Sequence, residues 1–172
     1  MERIYLVGFM GVGKSTIGKK LAHQLNYEFI DLDDAFEKKY KIGISNFFRK
    51  YDEELFRKME HELLVETFEK SHVLVSTGGG TPCFFDAMEK INRAGLSIYI
   101  KMSPAAIAYR LSAAKRKRPL LEGLSKEELQ EFITKKLKKR EPVYLQAHIH
   151  INGMHVNIDE LAEHVQKKMK AV

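Results

Sequence analysis

The chain contains one cysteine, Cys83, no tryptophan and four prolines in 172 residues. A single cysteine excludes an internal disulfide, so packing alone has to hold the fold, and the compartment that fits is a reducing one, the cytosol. Long hydrophobic runs are also lacking: stretches such as Val73-Leu74-Val75 break within a few positions, far short of the roughly 18–20 apolar residues of a membrane span. The opening residues Met1 to Gly8 carry no basic segment ahead of an apolar core of about 7–15 residues, and they read as a strand rather than a secretory signal. There is no internal repeat, low-complexity tract or linker. At roughly 100–200 residues per domain, residues 1–172 are expected to form one domain that buries about two-thirds of the surface of its unfolded chain.

What the chain does have is charge in one place. Lys and Arg outnumber Asp and Glu by 29 to 23, a net of +6. Residues 110–140 hold eleven Lys and Arg against four Glu, a net of +7, so the rest of the chain carries −1. A concentrated excess of one sign marks an anion-binding face more than general solubility. The excess by itself leaves nucleic acid, a membrane surface and a small phosphate open.

Apolar spacing predicts strands at residues 3–7, 27–31, 73–77, 96–101 and 148–151, with helices between them. Val73-Leu74-Val75-Ser76-Thr77 is β-branched and unalternating, the pattern of a strand covered on both faces. Helices are predicted over 14–25, to about Tyr40, over 46–70 with Ser45 placed to cap it, over 85–93, from Pro104, from Ser125 to about Arg140 ahead of Pro142, and over 158–170. The basic stretch 113–123 reads as an exposed loop. Strands alternating with helices imply a three-layer α/β domain whose parallel sheet has helices on both faces.

Gly8-Phe9-Met10-Gly11-Val12-Gly13-Lys14-Ser15 matches G-x-x-x-x-G-K-[ST] between a predicted strand and a predicted helix, the context this motif requires. Glycines let the backbone curl so that the N–H groups from Gly11 to Thr16, backed by the helix dipole, face an anion. Lys14 would reach the β and γ phosphates of a nucleotide, Ser15 would offer its hydroxyl to Mg²⁺, and Thr16 would lie near the α phosphate. The motif specifies a nucleotide but not the second acceptor, which from these residues alone is water, a protein hydroxyl or a small molecule. The strand at 73–77 has no carboxylate for the metal, so Asp31, at the end of the second strand, is the candidate ligand beside Ser15, directly or through water. Asp33 lies two residues further on and is placed either to face the acceptor or, like Asp34, to cap the next helix.

The ordered set Gly8 to Thr16, Asp31-Leu32-Asp33, Phe56-Arg57-Lys58-Met59-Glu60, Ser76-Thr77-Gly78-Gly79-Gly80, Arg118-Pro119-Leu120-Leu121 and Lys139 to Tyr144 resembles the shikimate kinases across essentially the whole chain. The resemblance implies a phosphate-loop kinase fold with a five-stranded parallel sheet, a substrate-binding region at about 32–60 and a lid at about 112–124. It implies transfer of the ATP γ-phosphate to the 3-hydroxyl of shikimate with Mg²⁺, in the cytosol and as a monomer. Asp33 would then meet the attacking hydroxyl. Arg57 and Arg140 would meet the substrate carboxylate, with Glu60 steadying Arg57 one turn away, and Gly78, Gly79 and Gly80 would give close backbone approach. Arg118, with Arg116 and Arg110, would close over the triphosphate.

Three other readings accompany this one. Another small hydroxy acid or a nucleotide is the alternative acceptor on the same fold. Nucleic-acid binding by the +7 segment is disfavoured because that segment has no interleaved aromatics for stacking. His148, His150 and His155 suggest either a metal site or strand-end packing, the first weakened by the absence of Cys or acid at matching spacing. Phe47, Phe48 and Phe56 read as core.

Overall fold

The structure, a computed structural model, describes residues 2–114, 121 and 123–170. Five strands form one sheet in the order β2-β3-β1-β4-β5: β1 (Arg3–Val7), β2 (Glu28–Asp31), β3 (Val73–Ser76), β4 (Leu96–Lys101) and β5 (Ile149–Asn152). Every pairing is parallel. The three central strands are buried almost throughout, as expected of a sheet covered on both faces, with the unalternating Val73-Leu74-Val75 at β3 the plainest case. Helices α1 (Lys14–Leu25), α2 (Leu32–Tyr40), α3 (Ile44–Lys50), α4 (Glu53–Glu66), α5 (Ala87–Ala94), α6 (Pro104–Ala113), α7 (Lys126–Tyr144) and α8 (Ile158–Lys170) form the outer layers.

Parallel order brings all strand C-termini to one edge, the edge where open α/β sheets hold their ligands. The phosphate loop leaves β1 there, Asp31 ends β2, and Ser76 ends β3 with Thr77 and the glycine triplet after it.

Three expected boundaries differ. The single helix over 46–70 is two, α3 and α4, with Tyr51 and Asp52 extended between them. Gly43 rather than Ser45 precedes the first, and Asp52 caps the second by accepting the Leu55 N–H at 2.8 Å. The aromatic spacing persists across the break because both helices pack on one cluster, in which Phe36 meets Phe47 and Phe56, and Phe48 stacks on Phe56.

The helix expected from Phe85 starts at Ala87, since Phe85 and Asp86 take left-handed φ of 54° and 56°. Helix α7 runs past Pro142 to Tyr144. The amide hydrogen bond that Pro142 forfeits would have gone to the carbonyl of Lys138, a residue on the exposed face of the helix.

Candidate active site

The phosphate loop owes its shape to three glycines with positive φ, Gly8 at 144°, Gly11 at 81° and Gly13 at 96°. Gly11 also needs its missing Cβ, which would lie 2.9 Å from Leu111 of α6. Lys14 is 8% exposed, and its Nζ donates to the carbonyls of Gly8 (2.7 Å) and Phe9 (2.9 Å), which holds the ammonium inside the curl. Beside it lies a cleft of about 240 Å³ lined by Gly11, Gly13, Lys14, Ser15, Thr16, Asp31, Asp33, Gly78 and Gly79. Val12, the remaining loop residue expected at ATP, is itself buried, and its carbonyl faces Arg110.

On the far side of the cleft Ser15 donates its hydroxyl to Asp31 Oδ2 at 2.5 Å. Asp31 Oδ1 accepts the Asp33 N–H at 3.0 Å. Capping of α2 therefore falls to Asp31, whereas the sequence offered Asp33 or Asp34 for it. Asp33 Oδ1 is turned to the glycine triplet, 3.3 Å from where a Cβ on Gly78 would sit. A serine hydroxyl and a carboxylate side by side form a set of hard oxygen donors that suits a small divalent cation. Among the described residues no group of three or more His, Cys, Asp or Glu is arranged to hold a metal, so any cation here would complete its shell with phosphate or water.

The triplet after β3 is the hub. A Cβ on Gly80 would strike the Arg57 guanidinium, one on Gly78 would lie 2.5 Å from Glu60 Oε1, and one on Gly79 would lie 3.2 Å from Met10 N and 3.6 Å from Arg140 Nη1. Side chains from α2, α4 and α7 thus pack against the triplet at positions where a Cβ would meet them. Arg57 is 9% exposed: Nη1 donates to Glu60 Oε2 at 2.7 Å, while Nε and Nη2 share Glu53 Oε1. The Phe84 ring covers its face at 4.6 Å. The expected pairing of Glu60 with Arg57 at i,i+3 is present. Arg140 approaches from the last turns of α7, its guanidinium 5.7 Å from the Phe9 ring centre, and among the described residues no carboxylate lies within ion-pair distance of it.

Cys83 sits just past the triplet. Burial pushes its thiol above the usual range, with the charges of Arg140 and Arg57 pulling the other way, so it stays protonated.

The remaining site expectations fall in different places. Arg110, in the last turn of α6, donates to the carbonyls of Val12 (3.1 Å) and Gly153 (3.0 Å), tying the phosphate loop to the loop after β5. Arg116 and Arg118 lie outside the described residues. Of the three histidines, His148 meets Ser97 and His150 lies 3.1 Å from the Leu145 carbonyl, the packing alternative, while His155 is exposed.

Two functional neighbours carried no assigned role in the sequence. Thr81 donates to Glu60 Oε1 at 2.5 Å, and the Tyr144 hydroxyl donates to the Gly79 carbonyl. Their only advance signals were a hydroxyl directly after the glycines and an aromatic four residues beyond Arg140.

A parallel sheet with a phosphate loop at its carboxyl edge, a cleft lined by that loop, Asp31, Asp33 and bare glycine backbone, and two arginines packed against the glycine triplet beside it define a kinase of small molecules. A family model for shikimate kinase matches residues 10–170. A shikimate kinase of Parabacteroides distasonis is 48% identical over 149 residues, covering 87% of this chain and 86% of its own. The crystal structure of shikimate kinase from Bacteroides thetaiotaomicron has a TM-score of 0.91 at 38% identity over 98% of both chains. That of shikimate kinase from Acinetobacter baumannii in complex with shikimate has a TM-score of 0.86 at 30% identity, over 99% of this chain and 94% of that one. The chain belongs to the shikimate kinase family and is an ATP-dependent phosphotransferase. No helix among the described residues is long and apolar enough to cross a membrane.

Proposed function

We propose that the chain transfers the γ-phosphate of ATP to the 3-hydroxyl of shikimate, giving shikimate 3-phosphate for aromatic amino acid biosynthesis, and that it acts in the cytoplasm as a monomer on these two small molecules. The observation that carries the substrate is the meeting of Arg57 and Arg140 at the glycine triplet. A partly exposed Arg140 with no carboxylate in ion-pair distance among the described residues, next to an Arg57 whose orientation is held by Glu60, is a docking point for one planar anion. A substrate without a carboxylate would leave that positive charge uncompensated in the cleft.

The roles divide by position. Backbone N–H groups from Gly11 to Thr16 hold the phosphates, and Lys14 leaves the loop carbonyls to reach the β and γ oxygens. Ser15 and Asp31 would hold Mg²⁺, which supplies charge neutralisation and alignment of the phosphates when bound. Asp33, turned toward Gly78, orients the attacking hydroxyl and takes its proton as the bond to phosphorus forms. Gly78, Gly79 and Gly80 present backbone to the substrate. Arg110 steadies the nucleotide side through Val12 and Gly153, and the lid over about 112–124, carrying Arg118 and Arg116, shields the transferring group from water.

The test is ADP release with Mg²⁺ and ATP across a panel of small hydroxy acids and nucleotides. Shikimate-dependent release is expected, and its absence overturns the substrate. Arg140→Ala should raise the KM for shikimate roughly 10- to 100-fold, from the worth of a charged hydrogen bond, with the KM for ATP little changed. An unmoved shikimate KM removes Arg140 from the carboxylate site.

A further inference from the structure

Helix α7 ends in a residue to which the reaction assigns nothing. Tyr144 is fully buried, and it lies one turn beyond Arg140 on the same face of the helix. Its ring packs on Tyr99 with centres 5.3 Å apart and planes at 37°. Its hydroxyl donates to the carbonyl of Gly79. Tyr99, the other half of the pair, sends its hydroxyl elsewhere, to Glu141 Oε1 at 3.2 Å. Packing alone needs an aromatic ring at position 144 but no hydroxyl, so the phenol oxygen calls for a separate explanation.

The peptide between Gly79 and Gly80 is trans and planar, so its carbonyl and its N–H point in opposite directions. Holding the carbonyl on the α7 side therefore sends the Gly80 N–H the other way. Gly80 lies against the Arg57 guanidinium, and Gly79 lies near Arg140 and lines the cleft. The Thr81 N–H closes a turn on the Gly78 carbonyl at 3.2 Å with this peptide at its centre, and glycine at both central positions leaves the two orientations of that central peptide close in energy, so a contact such as that of Tyr144 selects between them. Burial keeps the phenol protonated across the working range, so it remains a donor.

We infer that Tyr144 is a positioning residue: by holding the Gly79 carbonyl it aims the Gly80 N–H at the substrate, in register with Arg140 one turn earlier on the same helix. This rests on the proposal that the triplet and Arg140 bind shikimate. Tyr144 touches no reacting atom, so its effect falls on substrate binding and not on the chemical step.

Tyr144→Phe keeps the ring and removes only the hydroxyl. It should raise the KM for shikimate about three- to tenfold, the worth of one hydrogen bond, with kcat and the KM for ATP within about twofold of the parent. Tyr99→Phe removes the neighbouring hydroxyl from the same ring pair and should leave the shikimate KM unchanged. A Tyr144→Phe enzyme that melts earlier but keeps its shikimate KM has lost stability only, and overturns the inference. Equal KM changes in both variants assign the effect to loosened packing and overturn it as well.

The unmodified protein supplies a check that needs no variant: saturating shikimate should shift the Gly80 amide resonance, and an unmoved resonance refutes the aim. Parent enzyme without shikimate-dependent ADP release would sink the substrate reading itself. An active parent with a silent Tyr144→Phe sinks only the role of Tyr144.

Discussion

Glu60 is the residue on which the substrate side turns. It is 3% exposed and carries a charge that burial would make costly without partners. One oxygen takes the Thr81 hydroxyl, the other the Arg57 guanidinium. Each contact depends on the other, because a carboxylate turned toward Thr81 has one direction left for Arg57. Thr81→Val puts a methyl where that carboxylate expects a donor and strands Oε1, at a cost of about 1–3 kcal/mol for an unpaired buried acceptor. Glu60 then rotates toward the remaining cation and takes Arg57 with it. The expected outcome is a lower melting temperature and a several-fold higher KM for shikimate, with both restored in Thr81→Ser, which keeps the hydroxyl. If Ser fails where Thr succeeds, the methyl and not the hydrogen bond is what position 81 supplies.

Element by element, legibility followed the distance over which each signal acts. The β1-loop-α1 unit was readable because strand run, glycines, Lys14 and Ser15 are contiguous, and all are needed locally to curl the backbone. Strand β3 was readable because burial on both faces leaves the unbroken run Val73-Leu74-Val75, and β4 because only Ser97 interrupts its apolar residues from Leu96 to Ile100. The break between α3 and α4 was missed because the apolar period continues through it. The cue was local and chemical instead: basic Arg49-Lys50 ending one helix, then Asp52-Glu53-Glu54 opening the next, as helix ends favour. The run of α7 past Pro142 was not readable, since it rests on Tyr144 reaching Gly79, 65 residues away. Likewise, Arg57 and Arg140 could be paired only through the family resemblance, for nothing local states that both meet the triplet.

The junction of β4 and β5 gives a prediction at this scale. His148 Nδ1 lies 3.2 Å from the Ser97 N–H that donates to it, so the ring proton resides on Nε2. The Ser97 hydroxyl donates to Asn92 Oδ1 and accepts the His148 N–H, which leaves it no proton for the ring. Burial, aided by the charge of Lys168, lowers the His148 pKa. The unfolded chain therefore takes up this proton at a higher pH than the folded one. The contribution of His148 is fully present above the ordinary histidine pKa of about 6.5 and is lost as pH falls through that value toward the depressed folded one. His148→Gln should flatten this part of the curve of stability against pH, measured by denaturant midpoints, and an unchanged curve in the variant would clear His148 of the effect.

For the whole molecule, the open question is what the uneven charge does. The described part of the basic segment is not a uniform patch. Lys135, Lys136, Lys138 and Lys139 are exposed along α7, with Lys135 paired to Glu131, whereas Arg110 is held on the Val12 and Gly153 carbonyls and Arg140 lies by the Phe9 ring and Gly79. Charge arranged this way acts at one site, and binding there has a thermodynamic signature. A ligand that binds only the folded chain stabilises it by about 2.7 kcal/mol at 100 times its dissociation constant. In a domain of about 170 residues that amounts to roughly 5–10 °C in melting temperature. ATP with Mg²⁺ should produce such a rise, as should shikimate alone, and shikimate should lose its effect in Arg140→Ala while ATP keeps most of its own. Single-stranded nucleic acid, which would need the exposed lysines, should leave the melting temperature where it was at physiological salt. A rise with nucleic acid that is abolished by replacing those lysines would move the function of the segment from the cleft to the helix face.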